Sequence, residues 1–156
     1  MDGDRQCVII QLGTGNYALD ISAVQEIIRL PALTPVPKAL PYVEGIINLR
    51  GSIVPVLDLR RRCGLPAEDA TAATRVVVVQ TEQHRLGLIV DRVVEVSTIP
   101  ACAVEPVTGF VRHERARHLL LGVARMVDRL VLVLDLAQVI PQNAGSARLE
   151  LANAGL

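Results

Sequence analysis

The sequence predicts an all-β protein with a few short helical turns, and three observations carry that prediction. Val, Ile and Leu gather in runs of about four to eight residues, punctuated by Gly, Asn, Asp and Pro, which is the pattern of short strands. The chain matches itself at two fixed offsets, so the strands recur as a set. Of its 156 residues 51% are apolar, ample for a packed interior in one domain or in two small subdomains sharing a core.

Taken in order, "CVIIQL" and "YALDI" read as a hairpin turning at residues 13–16, and "VVVVQ" and "LGLIV" as a second turning at residues 83–85. "SAVQEIIRL" predicts at least one helical turn, with Ser22 as N-cap and Val24, Ile27 and Ile28 at helical spacing. Its counterpart starts at Asp91 and carries Val93 and Val96. "GIINL" and "SIVPVLD" are strands joined at Arg50 and Gly51, and Pro55 predicts that its strand is an edge or carries a bulge, because proline cannot donate to a ladder. "DLRRRCG" predicts a short helix capped by Asp58 and stopped by Gly64; "DLAQVIP" repeats it with Asp135 as cap and Pro141 as stop. Residues 66–74 read as a polar, Ala-rich linker, residues 97–117 show no period, and residues 141–156 read as a tail or marginal helix.

The self-match organises these elements. An offset of 69 pairs residues 7–27 with 76–96 without a gap, bringing Gln11 onto Gln80, Val24 onto Val93 and Glu26 onto Glu95. An offset of 77 pairs residues 45–59 with 122–136, bringing Gly45 onto Gly122 and "VLDL" at 56–59 onto "VLDL" at 133–136. The expected organisation is one domain over about residues 5–140, made of halves at about 5–65 and 75–140.

Composition excludes several function classes. Sixteen basic and sixteen acidic residues cancel, so no net field draws the chain to nucleic acid, and 2% aromatics (Tyr17, Tyr42, Phe110) offer little on which bases could stack. A small-barrel nucleic-acid module is therefore the weaker alternative. The start lacks a secretory pattern and no apolar run approaches a bilayer-spanning length, so a cytoplasmic protein without direct membrane insertion is expected. Cys7, Cys63 and Cys102 have neither disulfide-framework nor metal-ligand spacing, and Cys7 and Cys102 read as small hydrophobes. No nucleotide-binding, nucleophile-elbow or metallohydrolase motif is present, and His84, His113 and His118 form no metal pair. The expectation is no enzyme, no cofactor and no metal.

The duplication also serves as an internal control. Where both copies agree, a shared scaffold is the economical explanation. "NLRG" at 48–51 stands where the second copy has "RMVD" at 125–128. Gly51 has a local reason in a tight connection, whereas Asn48 and Arg50 have none in the sequence.

"VQEI" at 24–27, "GIINLRGSIVPVLDLRRRCG" at 45–64, "LGLIVDRVVEV" at 86–96 and "LLGVARMVDRLVLVLDLAQVI" at 120–140 together resemble the successive signature segments of the CheW family, across about residues 5–140. The resemblance implies two packed five-stranded SH3-like β-barrels. It also implies a non-enzymatic adaptor of chemosensory arrays, linking the cytoplasmic tip of methyl-accepting chemoreceptors to the regulatory domain of a CheA-type histidine kinase. It places the receptor helix in a groove between the barrels, with Val24 and Ile27 from one half and Val93 and Val96 from the other as candidates for its floor. Asn48, Arg50 and Gly51 carry the family's "NLRG", and Glu26 is the expected ion-pair partner of Arg50. Kinase-contacting residues are not assigned. The alternative within this class is the adaptor of a non-flagellar pathway, serving type IV pilus twitching or second-messenger output. The basic segment at 108–118 departs from the family pattern.

Overall fold

The computed structural model describes residues 3–82, 84–107 and 118–140. The expected stop at Pro141, the tail at 141–156, Gln83 and the basic stretch at 108–117 with Phe110 and His113 lie outside them. Eleven strands run through the described residues: β1 (Arg5–Leu12), β2 (Gly15–Asp20), β3 (Val24–Arg29), β4 (Val43–Leu49), β5 (Ser52–Asp58), β6 (Arg75–Gln80), β7 (Arg85–Val90), β8 (Arg92–Ile99), β9 (Val104–Glu105), β10 (Leu120–Arg125) and β11 (Leu130–Leu134). Short helices at Leu59–Arg62 and Leu136–Val139 follow β5 and β11. The Asp58 carboxylate accepts from the Arg60 N–H and that of Asp135 from the Ala137 N–H, so both expected caps are in place.

The strands form two sheets, ordered β8-β1-β2-β11-β10-β9 and β3-β6-β7-β5-β4. Exchanging each strand for its repeat partner (β1 with β6, β2 with β7, β3 with β8, β4 with β10, β5 with β11) turns the first five strands of one order into the other. The sheets are therefore composite: the five-stranded sheet takes three strands from the first half of the sequence and two from the second, and the six-stranded sheet two from the first and four from the second. The halves interlock through the parallel pairs β2–β11 and β7–β5 and the antiparallel pairs β1–β8 and β3–β6. Even the irregularities are duplicated. The β3–β6 pairing skips Gln25 and the β1–β8 pairing skips Val94, 69 residues on. The β4–β5 pairing skips Glu44 and the β10–β11 pairing skips Leu121, 77 residues on. Bulges are built-in bends of a strand, so their recurrence at the two sequence offsets shows one pattern of curvature used twice.

The unbroken apolar runs of β1 and β6 reflect burial on both faces. Val8, Ile10 and Leu12 join Val77, Val79 and Leu88 in a central cluster between the sheets. Cys7 and Ile9 point the other way, into a cluster with Ala18, Ile99 and Val131 inside the first sheet. Ile47, Val54 and Val56 form the corresponding interior of the second. Each fully buried Val, Leu or Ile contributes roughly 1.5–3 kcal/mol, and the central cluster is what holds the two sheets together.

Several expectations need correction. "SAVQEIIRL" is not a helix: a single 3-10 turn at Ile21–Ala23 leads into β3, and the cap is Asp20, whose carboxylate accepts from the Ser22 N–H at 2.9 Å and hydroxyl at 2.8 Å. The counterpart is likewise strand, β8, and Asp91 accepts from the Gly13 N–H instead of capping a turn. Pro55 lies on neither an edge strand nor a bulge. It sits opposite Ile46 in β5, between β4 and β7, and the pairing with β7 begins one residue later at Val56, so its missing N–H is not called on. Cys7 is buried as expected, but Cys102 is exposed. The 97–117 region holds the end of β8, a 3-10 turn at Ala101–Ala103, and β9.

Candidate functional site

The hairpin between β4 and β5 closes through Leu49 opposite Ser52, leaving Arg50 and Gly51 as a two-residue loop. Both loop residues have positive φ, 51° at Arg50 and 84° at Gly51, the requirement of a type I′ turn, whose twist matches that of the strands it joins. Gly51 meets this freely. Arg50 does not, since a left-handed backbone costs a residue with a Cβ roughly 1–2 kcal/mol. The Oδ1 of Asn48 accepts from the Gly51 N–H at 2.9 Å and holds the turn. Asn48 thus has a local structural reason that the sequence did not reveal.

From this loop the Arg50 guanidinium reaches across to β3, the opposite edge of the same sheet. Its Nη1 and Nη2 donate to Oε1 and Oε2 of Glu26 at 2.6 and 2.7 Å, a fork-to-fork pair. These hydrogen bonds hold the Glu26 carboxyl below the usual glutamate range and raise the Arg50 guanidinium in turn. The Arg50 side chain nevertheless remains 72% exposed, against 21% for Glu26, so its remaining donors face outward. Ile27, beside Glu26, and Ile53, opposite Asn48, are exposed apolar neighbours in sequence and register.

The other sheet ties its edge strand β8 to the β10–β11 hairpin by a different route. Glu95 on β8, the repeat partner of Glu26, pairs with Arg129 at 3.2 Å. Arg129 is not the repeat partner of Arg50. That position is Val127, which is fully exposed and, with Asp128, forms the two-residue loop closed by the Met126 N–H donating to the Arg129 carbonyl at 2.9 Å. Neither Val127 nor Asp128 has positive φ, and the repeat partner of Asn48, Arg125, turns away to Glu105 at 3.0 Å. An acid on one edge and an arginine from the hairpin thus tie both sheets, but Arg129 is only 21% exposed. Of the two guanidiniums that make these ties, the one from the first hairpin is the one offered to solvent.

The four apolar candidates separate into two kinds. Val24 and Val93 are half-buried against the central cluster. Ile27 and Val96, three residues further along β3 and β8, are exposed, at 40% and 54%. The structure therefore brings together Glu26, Asn48, Arg50 and Gly51, and sets Val24 and Val93 on the rim of the inter-sheet core, with Ile27 and Val96 each on the edge of its own sheet.

The "RRR" at 60–62 is mostly structural. Arg60 is buried, with Nε and Nη2 on the two oxygens of Asp91 at 2.8 Å each and Nη1 on the Pro66 carbonyl at 2.8 Å. Arg62 donates to the carbonyls of Val139 and Gln138 at 2.8 Å and stacks its guanidinium over the Tyr42 ring at 5.2 Å, tying the two helices together. Among the described residues no group of three or more His, Cys, Asp or Glu is placed to hold a metal ion, and no helix is long and apolar enough to cross a membrane. Burial pushes the Cys63 thiol up to about 11, far from a reactive thiolate at neutral pH.

Comparison with known proteins bears on this geometry. The family model for the CheW-like domain matches residues 6–144. The chain belongs to the CheW-like family. It is 30% identical to the chemotaxis protein CheW of Rhizobium meliloti (strain 1021) over 146 residues, 94% of each chain. It is 31% identical to that of Helicobacter pylori (strain ATCC 700392 / 26695) over 132 residues, covering 85% of this chain and 79% of the relative. A solved structure, the scaffolding protein TtCheW from Thermoanaerobacter tengcongensis, superposes with a TM-score of 0.80 at 31% identity, covering 89% of this chain and 94% of that one. The mostly-β, two-sheet architecture is thus that of CheW, and the protein is a chemotaxis adaptor of this CheW-like family.

Proposed function

We propose that this adaptor couples methyl-accepting chemoreceptors to a CheA-type histidine kinase, without enzymatic activity of its own and in the cytoplasm beneath the receptor array. The receptor's cytoplasmic helical tip docks on the surface built from Val24, Glu26, Ile27, Asn48, Arg50, Gly51, Val93 and Val96, with Asn48 supporting the turn that carries Arg50. One observation carries this reading: an exposed arginine, fixed at its base by a positive-φ turn and along its fork by Glu26, beside the exposed Ile27. An amphipathic helix is the partner this suits, with an apolar face for the isoleucine and a carboxylate, amide or carbonyl oxygen for the guanidinium. Arginines held in this way concentrate binding energy at interfaces, because little side-chain freedom remains to be lost.

The test is Arg50→Ala in a reconstitution of receptor fragment, kinase and adaptor. Receptor-dependent kinase activation is expected to fall at least about tenfold, the usual consequence of losing an interface arginine worth about 1.4 kcal/mol or more. Thermal unfolding of the free protein should change little, since an ion pair this exposed stabilises the fold only weakly. Activation at the wild-type level by the folded variant would overturn the assignment.

A further inference from the structure

We propose that Asn48 is a positioning residue for partner recognition: by holding the Gly51 N–H, its side chain keeps Arg50 in the left-handed backbone conformation from which the guanidinium is presented to the partner. This deepens the receptor-docking reading and rests on it, but it assigns Asn48 a different job from its neighbours. The Oδ1 is occupied within the turn at 2.9 Å and acts through Arg50 instead of meeting the partner itself.

The argument comes from comparing the hairpin with its repeat. Where Asn48 stands, Arg50 has a φ of 51° and reaches both oxygens of Glu26. Where the repeat has Arg125, no side chain among the described residues holds the turn, Val127 is not at positive φ, and the arginine that ties β8 to the hairpin comes from position 129 and is largely covered. Tying the hairpin to the far strand therefore does not require this turn; of the two tying guanidiniums, the exposed one is the one that the turn carries. An Asx-type hydrogen bond suits the purpose, because it stabilises a local backbone shape without burying any of the surface that a partner would use.

The experiment uses Asn48→Ala, Asn48→Asp, Arg50→Ala and the Asn48→Ala/Arg50→Ala double variant of the full chain. Two quantities are read: affinity for a soluble receptor cytoplasmic fragment, and the titration of the Glu26 carboxyl in the free protein by NMR. Asn48→Ala is expected to weaken affinity about fivefold in the wild-type background and less than about twofold when Arg50 is already alanine, the signature of residues acting as a unit. In the same variant the Glu26 carboxyl should move up toward its ordinary value as the fork loosens. Asn48→Asp, which keeps an acceptor at the same reach, should restore affinity. An affinity loss that persists undiminished in the Arg50→Ala background would mean that Asn48 touches the partner directly and would overturn the proposal, as would a Glu26 titration unmoved by Asn48→Ala. If Arg50→Ala itself binds the fragment as wild type does, the receptor-docking reading fails first; a Glu26 shift seen in Asn48→Ala alongside that result would confine Asn48 to the turn and overturn its part in recognition.

Discussion

Replacing Arg60 with methionine is expected to lower the unfolding free energy at neutral pH by about 3 kcal/mol, a fall in Tm of roughly 10 °C for a chain of this size. Methionine keeps most of the stem volume, so the loss reports the guanidinium. Its side chain is only 9% exposed, and all three nitrogens are engaged, on both oxygens of Asp91 and on the Pro66 carbonyl, with Glu68 a further 3.3 Å contact. The arrangement spans the molecule: Arg60 follows β5, Asp91 separates β7 from β8, and Asp91 also accepts from the Gly13 N–H in the β1–β2 turn at 2.7 Å. Removing the cation leaves a carboxylate facing that turn without its counter-ion, and breaking a pair on one side costs more than the pair itself contributes. Asp91 keeps 31% exposure and can recover some hydration, which places the figure at the low end of the usual range. Urea unfolding measures it, and a loss below about 1 kcal/mol would show the network to be dispensable.

The same pair sets an acid dependence with a definite sign. Burial alone would raise the Asp91 carboxyl, but the hydrogen bonds from Arg60 and Gly13 and the charge of Arg60 outweigh it and hold the group below the ordinary aspartate value. A carboxyl depressed in the folded state contributes its full stability above the unfolded value of about 3.9, and loses it as pH falls through the folded value. The gap between wild type and Arg60→Met should therefore be constant from neutral pH down to about pH 5 and narrow below about pH 4.

How much of this was legible in the sequence depends on whether the signal is local. The hairpins, both aspartate-capped helices and the duplication were, because turn residues and caps act within a few positions and the repeat is a property of the string itself. The exchange of strands between halves was not. A run such as "VVVV" announces a strand buried on both faces but carries no record of its neighbours in the sheet. Strand β3 was misread because its polarity is inverted: Val24, Glu26 and Ile28 are half-buried while Gln25, Ile27 and Arg29 are exposed, and the bulge at Gln25 breaks the ladder. A charged residue on the inner side and an isoleucine on the outer side erase the alternation by which strands are recognised, and both departures belong to the candidate site. Arg50 and Glu26 could be paired by resemblance; Asn48 could not be given its role, because an Asx hydrogen bond depends on a turn type that "NLRG" permits without specifying. Arg129 escaped the repeat comparison for a related reason, since it does in the second sheet what Arg50 does in the first from a position two residues away.

Alanine at Gly45 or at Gly122 is expected to cost about 3 kcal/mol each, for one physical reason expressed twice. At both bulged strands a neighbouring segment crosses close to the glycine. The Thr34 bridge to Ile46 brings the Thr34 carbonyl oxygen within 2.6 Å of where a Cβ at Gly45 would lie, and β9 brings the Glu105 carbonyl oxygen equally close at Gly122. The obstacle is backbone, which cannot rotate away as a side-chain end can, so alanine must push out an edge segment that is hydrogen-bonded in place: at the first site by Thr34 and Ile46, with N–H to O distances of 3.0 and 2.9 Å. Gly51→Ala is the control. It has positive φ but nothing within 4 Å of the added Cβ, so only the conformational cost of roughly 1 kcal/mol applies. The two crowded glycines lie in different sheets and share no partner, so their effects should add. A combined loss of about 6 kcal/mol approaches the whole stability of many domains, and the double variant is expected to be largely unfolded at 37 °C by circular dichroism, with each single variant folded but lowered in Tm. Near-wild-type Tm values for Gly45→Ala and Gly122→Ala would mean that the crossing segments yield easily, and that the glycines shared by the two copies are not required by packing.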